Sequence, residues 1–392
     1  MANIIPFISE HEQEMRALFE DLHQHPEIGF EETRTAAIVA KKLQEFAFDE
    51  VHTNVGKTGV VGILHGKMND NRTIGLRADM DALPIEEQSE LAYSSKVANK
   101  MHACGHDGHT TMLLGAAQYL AQSRDFKGTA VFIFQPAEEG LGGAKAMLAD
   151  NLFQRFPCDE IYGMHNKPQA KLGTAAIRKG NAMAGASFFD IVIHGKGSHG
   201  AQPQDSKDAL FIGSALVQQL QSIVSRNIVA TSTAVLSCTK FHTGSAYNII
   251  PETAEIGGTL RFFDLEIRDL MQRRMTAICQ GLALAHDIKI TIEFKEIFDV
   301  LFNDADCTDA YIAATAEILG MENINIDAPP MMGSEDFSFM LRQVPGAYIN
   351  INHPGPQAVH NPGFIFDPDL LPIGASIYAR LIEMRLADTS HA

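Results

Sequence analysis

Near positions 11–25 and 33–47, apolar residues recur every three or four places, which predicts two amphipathic helices at the start of the chain. Short apolar runs at 60–64, 73–76, 130–134 and 161–164 then read as strands. Between the second and third of these, Met112, Leu113, Ala116 and Leu120 predict a helix over 109–122. Strands alternating with helices imply an α/β layer around a largely buried central sheet.

The middle of the chain has another rhythm. Strand patterns at 188–194, 234–241, 254–263 and 288–294 are interleaved with helix patterns at 208–225 and 266–286. The resulting order, β-α-β-β-α-β, is that of a ferredoxin-like unit able to stand as its own small domain. A glycine-rich stretch at 180–185 suits an entry linker, and the exit falls near 298–304. The first rhythm then returns, with a helix near 310–319, a strand at 347–350 and a final helix from Leu371 to Leu386. The expected architecture is an α/β catalytic domain with a central mixed sheet flanked by helices, over 1–183 and 300–392, interrupted by an inserted α+β lid over 184–299.

The length of 392 residues agrees with about two domains. A formal charge of −17 disfavours nucleic-acid partners and would repel an anionic substrate at long range, so such a substrate needs a local cation. The N-terminus has no basic stretch, and Glu10, Glu12 and Glu14 argue against a signal peptide. No apolar run is long enough to span a bilayer. Cys104, Cys158, Cys238, Cys279 and Cys307 are odd in number and scattered, which favours a reducing cytoplasm over a disulfide framework.

Candidate chemistry is concentrated in a few places. MHACGHDGH at 101–109 puts Cys104 and His106 two apart around a glycine, just before a helix, where both can face one metal ion. The same residues also fit a helix N-terminus capped by Asp107 with histidines in solvent. At 132–140, FIFQPAEEG runs a strand into Glu138 and Glu139, so that one acid could bind metal while the other holds a proton. A solvated acidic turn is the plainer reading. His165 ends the strand of IYGMH, and His360 opens HNPGF. GKGSHGAQP at 195–203 projects His199 from a glycine-flanked loop. YNIIP follows with Asn248, and GTLR with Arg261, whose guanidinium suits either a carboxylate ligand or a surface ion pair. Together they make an ion site credible where no single motif does.

These motifs, with LRADMDALP at 76–84, GSEDF at 333–337 and HNP at 360–362, resemble the metal-dependent aminoacylase and carboxypeptidase family, in its hippurate-hydrolase and auxin-conjugate-hydrolase branch. The resemblance spans nearly the whole chain. It implies that Cys104, His106, Glu139, His165 and His360 hold two divalent metal ions, with Cys104 bridging; zinc suits the ligands, and manganese, cobalt or nickel can substitute. It further implies Glu138 as general base toward a metal-activated water, and His199 as a lid histidine that reaches a partner subunit's active site. Asn248 and Arg261 would contact the substrate's carbonyl and carboxylate, and Asp79 and Asp81 would orient the ligands. The loop after His165 departs from the family's usual apolar residue with Asn166 and Lys167, a change expected at the pocket rim.

The implied activity is hydrolysis of the amide bond of small N-acyl amino acids by a cytoplasmic homodimer or larger homo-oligomer, with no nucleic-acid or membrane partner. N-acetyl-diaminopimelate deacetylase and small dipeptidase are alternatives within the family. Two rivals lie outside it: a cysteine hydrolase with Cys104 as nucleophile and His106 as base, and a non-catalytic protein that binds acylated ligands.

Overall fold

The computed structural model describes residues 2–387. They form two compact units, one reaching to Ala182 and resuming with Phe302–Pro330 and from Asp336, the other comprising Met183–Leu301 and Met331–Glu335.

The first unit is built on an eight-stranded mixed sheet in the spatial order Glu50–Val55, Gly59–His65, Lys127–Gln135, Met68–Asp79, Glu160–Lys167, Gly346–Asn352, Ala175–Ala176, Ile324–Asn325. Four central strands, Lys127–Gln135 through Gly346–Asn352, are mutually parallel. Antiparallel pairs flank them. Central parallel strands are covered on both faces, so they read as continuous apolar runs, and this is why the sequence pattern finds them. Their parallel arrangement also brings their carboxyl ends to one edge of the sheet, where α/β proteins gather ligands.

Helices Glu12–Gln24 and Thr33–Glu45 bury Met15, Phe19, Leu22, Val39 and Leu43, as their periodicity predicts. Helix His106–Ser123 begins three residues before the predicted start at 109. The cause is twofold. Every residue from His106 to Ala117 is buried, so no polar face marks its first turns. Its N-cap is Gly105 at φ 89°, without a side-chain cap, so Asp107 lies inside the helix rather than capping it. A Cβ on Gly105 would lie 2.4 Å from the Asn166 amide nitrogen, which leaves glycine as the residue that fits.

In the second unit the strands stand in the order Ala234–Thr243, Thr253–Phe262, Gly185–His194, Lys289–Phe298, all antiparallel. Helices Ala209–Asn227 and Leu265–His286 pack Ile212, Leu216, Met271 and Met275 onto Phe189, Ile191, Ile193 and Ile256. Asp208 and Asp264 cap them, accepting hydrogen bonds from the backbone N–H groups of Leu210, Phe211 and Glu266. The units divide between Ala182 and Met183, inside the 180–185 stretch, which is strand on either side of Ala184, as Gly180–Met183 and Gly185–His194. Met331–Glu335 returns to this unit, where the Ala184 N–H donates to Met331 O at 3.0 Å, a non-local contact that periodicity does not report.

All five cysteines are free. Among the described residues, no helix is long and apolar enough to cross a membrane.

Candidate metal centre and active site

Three parallel strands deliver the site. Met68–Asp79 ends at Asp79, paired in register with Gln135 at the end of its neighbour, and Glu160–Lys167 presents His165 near its own end. Helix His106–Ser123 starts beside them. The loop after Gln135 carries Glu138 and Glu139, with Ala137 held at φ 52° and Gly140 at φ 79°.

Two sets of ligand atoms converge within 4.8 Å, Cys104 with His106 and His165, and Cys104 with Glu139 and His360. Cys104 belongs to both. Glu138 lies within the same distance of His106 and Glu139 and is buried. The structure therefore brings together all five expected ligands and the expected base.

His106 and His165 are each oriented through Nδ1. His106 Nδ1 lies 3.2 Å from Asp81 Oδ1, while its Nε2 is buried with no hydrogen-bond partner among the described residues. His165 Nδ1 donates to Asn166 O at 2.6 Å, which turns Nε2 to 3.3 Å from Cys104 Sγ. Asp81 also accepts from the Glu139 N–H at 3.0 Å, so one carboxylate contacts two of the candidate ligands. His360 Nε2 lies 3.0 Å from Glu139 Oε1, yet that oxygen has no aligned hydrogen bond. Closeness without an aligned hydrogen bond suits two groups pointed at a common third atom.

The electrostatics agree. Burial lowers His106, but Asp79 and Asp81 outweigh it and push the imidazole up to about 10, so the pocket favours positive charge. Burial and then Glu139, Glu138 and Asp79 raise the Cys104 thiol well above its usual range. Burial also raises Asp79, but His106, Arg77 and His109 more than reverse this and hold it well below the carboxylate range. Burial drops His165 to about 4, leaving a neutral imidazole with a free lone pair. An orphaned His106 Nε2, a thiol, two further imidazoles and a carboxylate fit two divalent cations.

Several buried residues here escaped the sequence reading. His109 Nδ1 lies 2.6 Å from Asp79 Oδ1, and its Nε2 accepts from the Asn166 backbone and side-chain N–H groups at 3.0 Å each. Asn166 also donates to Cys104 O at 2.6 Å and lies 2.9 Å from His353 Nε2. Asn166 is buried behind the ligands, so its expected place at the pocket rim is corrected. His23 lies 2.6 Å from Asp107 and 3.2 Å from Glu87 beneath the ligand-bearing turn. Histidines and acids quoted within the motifs were the available signal; their partners lie far off in sequence.

His199, Asn248 and Arg261 belong to the second unit. His199 pairs with Ile249 in a two-stranded ribbon, and the Gly200 N–H donates to Asn248 O at 2.8 Å, so His199 and Asn248 are neighbours and both exposed. Arg261 is half-buried on the sheet face opposite the helices, bonded to Leu260 O and the Thr259 hydroxyl. No carboxylate partner for it is present among the described residues.

Fold and donor set together define a metal-dependent hydrolase. Residues 75–384 match peptidase family M20/M25/M40, and the chain belongs to that family. It is 44% identical to the hippurate hydrolase of Campylobacter jejuni over 97% of this chain and 98% of that one. It is 36% identical to the N-acetylcysteine deacetylase of Bacillus subtilis, over 92% and 94% of the two chains. The crystal structure of Bacillus subtilis YXEP protein, described as a dinuclear metal binding peptidase from the M20 family, superposes with TM-score 0.84 at 32% identity, covering 96% of this chain and 99% of that one. The protein is an amidohydrolase.

Proposed function

We propose that this enzyme hydrolyses the amide bond of small N-acyl amino acids, of the hippurate or N-acetyl type, releasing a carboxylic acid and a free amino acid. The observation that carries the reading is the shared Cys104 thiol between two converging donor sets, with the buried Glu138 carboxylate alongside. The likeness to a hippurate hydrolase and a deacetylase supports the substrate class.

Cys104, His106 and His165 would hold one ion, and Cys104, Glu139 and His360 the other; zinc suits the donors. When bound, the ions supply Lewis-acid polarisation of the scissile carbonyl and a lowered pKa for the attacking water. Glu138 takes the proton from that water and returns it to the departing amine nitrogen, which leaves poorly as an anion. Asp81 keeps His106 and Glu139 aligned throughout. By kinship, His199 donates to the oxygen that gains charge, Asn248 contacts the carbonyl, and Arg261 holds the free carboxylate, the local cation that a −17 chain requires. In this reading the second unit is a ferredoxin-like lid and dimerisation domain, His199 is supplied by a second copy of the chain, and the enzyme works in the cytoplasm.

A Cys104 nucleophile is the specific alternative, because Cys104 Sγ lies 3.3 Å from an imidazole nitrogen, that of His165 rather than the expected His106. Against it, Cys104 is the donor shared by both converging sets, and a thiol nucleophile leaves the neighbouring Glu138 and Glu139 without a role.

Amino-acid release from a panel of N-acyl amino acids and their amides, with and without chelator, tests the proposal. Chelator-sensitive release that prefers free carboxylates is the expected result. Release indifferent to chelator would return Cys104 to the role of nucleophile, and no release from any member would leave a binding protein.

A further inference from the structure

The loop bearing Glu138 and Glu139 is short, buried over 136–138 and conformationally awkward. Ala137 adopts φ 52°, a left-handed conformation uncommon for a residue with a Cβ, and Gly140 and Gly142 follow at φ 79° and 82°. Such a loop keeps its shape only if its surroundings over-determine it. The Glu32 carboxylate accepts from the Ala137 N–H at 2.8 Å, and Asp81 accepts from the Glu139 N–H. Neither of these contacts joins the two ends of the loop.

Asp336 does. Its Oδ1 accepts from the Gln135 side-chain amide at 2.6 Å, immediately before the loop. Its Oδ2 accepts from the Ala144 N–H at 2.9 Å, immediately after it. Its own backbone N–H points at Glu138 Oε1, at 3.4 Å. Asp336 is fully buried, so its charge needs compensation, and the buried Arg77 supplies it, with Nη2 at 3.4 Å from Asp336 Oδ1. The same guanidinium donates from Nε to Gln135 Oε1 at 2.9 Å and from Nη1 to Asp79 Oδ2 at 2.8 Å. Gln135 is thereby held in one amide orientation, oxygen toward Arg77 and nitrogen toward Asp336.

We propose that Asp336, braced by Arg77 and Gln135, is a positioning residue that clamps both ends of the 136–143 loop and so fixes the Glu138 carboxylate for proton transfer. Arg77 also grips Asp79, so one buried cation ties the proton-handling loop to the carboxylate beside His106 and His109. The inference rests on the reading of Glu138 as base, and its test separates the two.

The test uses the full-length, metal-loaded enzyme as wild type, Asp336→Asn, Gln135→Met and Glu138→Gln. Asp336→Asn replaces a two-oxygen acceptor by an amide that offers one. Expected are a kcat lowered roughly ten- to a hundredfold with KM within about twofold, undiminished metal content, and faster hydrogen–deuterium exchange confined to residues 136–144. Gln135→Met releases only the entry side of the loop and should show the same pattern more weakly, which preserves the test if Asp336→Asn does not fold. A folded Asp336→Asn or Gln135→Met variant with wild-type kcat, or with unchanged protection at 136–144, would overturn the clamp. So would exchange that rises throughout the sheet while activity falls only in step with lost metal. Glu138→Gln with wild-type turnover, beside a loosened loop in Asp336→Asn, would instead sink the assignment of the base.

Discussion

The metal pocket and the Arg261 face of the second unit are built on opposite plans. In the pocket, Arg77, Asp79, Asp81, His106, His109 and Asp336 are buried, and most hold their neighbours through more than one contact. On the other unit, His199 sits exposed on a two-stranded ribbon with the exposed Asn248 just before its second strand, and among the described residues Arg261 is held by a hydroxyl and a carbonyl. Groups that handle protons and ions must be held rigidly, because misplacement by an ångström is costly. On the reading proposed above, the second set meets varied acyl amino acids, and such groups gain from being reachable. The contrast predicts all-or-none losses in the first region and graded, substrate-dependent losses in the second.

The largest effect should come from Cys104→Ala, which removes the one donor common to both ligand sets. Metal analysis should find both ions weakened together and turnover at background; one ion retained at full affinity would break the shared-donor account. Next is Glu138→Gln, expected to keep its metal and lose roughly a hundred- to ten-thousandfold in kcat. Arg261→Ala is expected to raise KM about ten- to a hundredfold for free-carboxylate substrates and little for the matching amides. An equal rise for both would remove its role as anchor.

The smallest effect concerns stability. Burial lowers His23, but Asp107 and Glu87 overcome it and raise the imidazole to about 9, with His102 and Tyr93 as its ring neighbours. A histidine whose folded pKa is raised contributes stability that is fully present below about 6.5 and lost as pH climbs through about 9, on the order of 3 kcal/mol for this group. Urea unfolding of wild type and His23→Gln should therefore differ most near pH 6 and converge above pH 9. A gap that widens with pH would refute the charged pair.

How far these features were legible in the sequence follows from their range. The sheet strands and amphipathic helices were readable because their periodicity is local. Helix His106–Ser123 was misplaced at its start because a helix buried all round shows no alternation. The candidate ligands were readable as residue types at strand ends and loop-to-helix starts, and family resemblance singled out Cys104, His106, Glu139, His165 and His360 from among five cysteines, sixteen histidines and many acids. What sequence could not supply was partnership. Arg77 and Asp336 are 259 residues apart, and Asn166 and His353 are 187 apart, so nothing local marks them as neighbours. Asn166, read as a rim residue, proved to be a buried brace.

The most direct test of the account is stepwise metal return to chelator-stripped protein, with amino-acid release from benzoylglycine measured beside bound metal. The account predicts no release without metal, and release that grows until two ions are bound per chain. Full release from metal-stripped protein would contradict it.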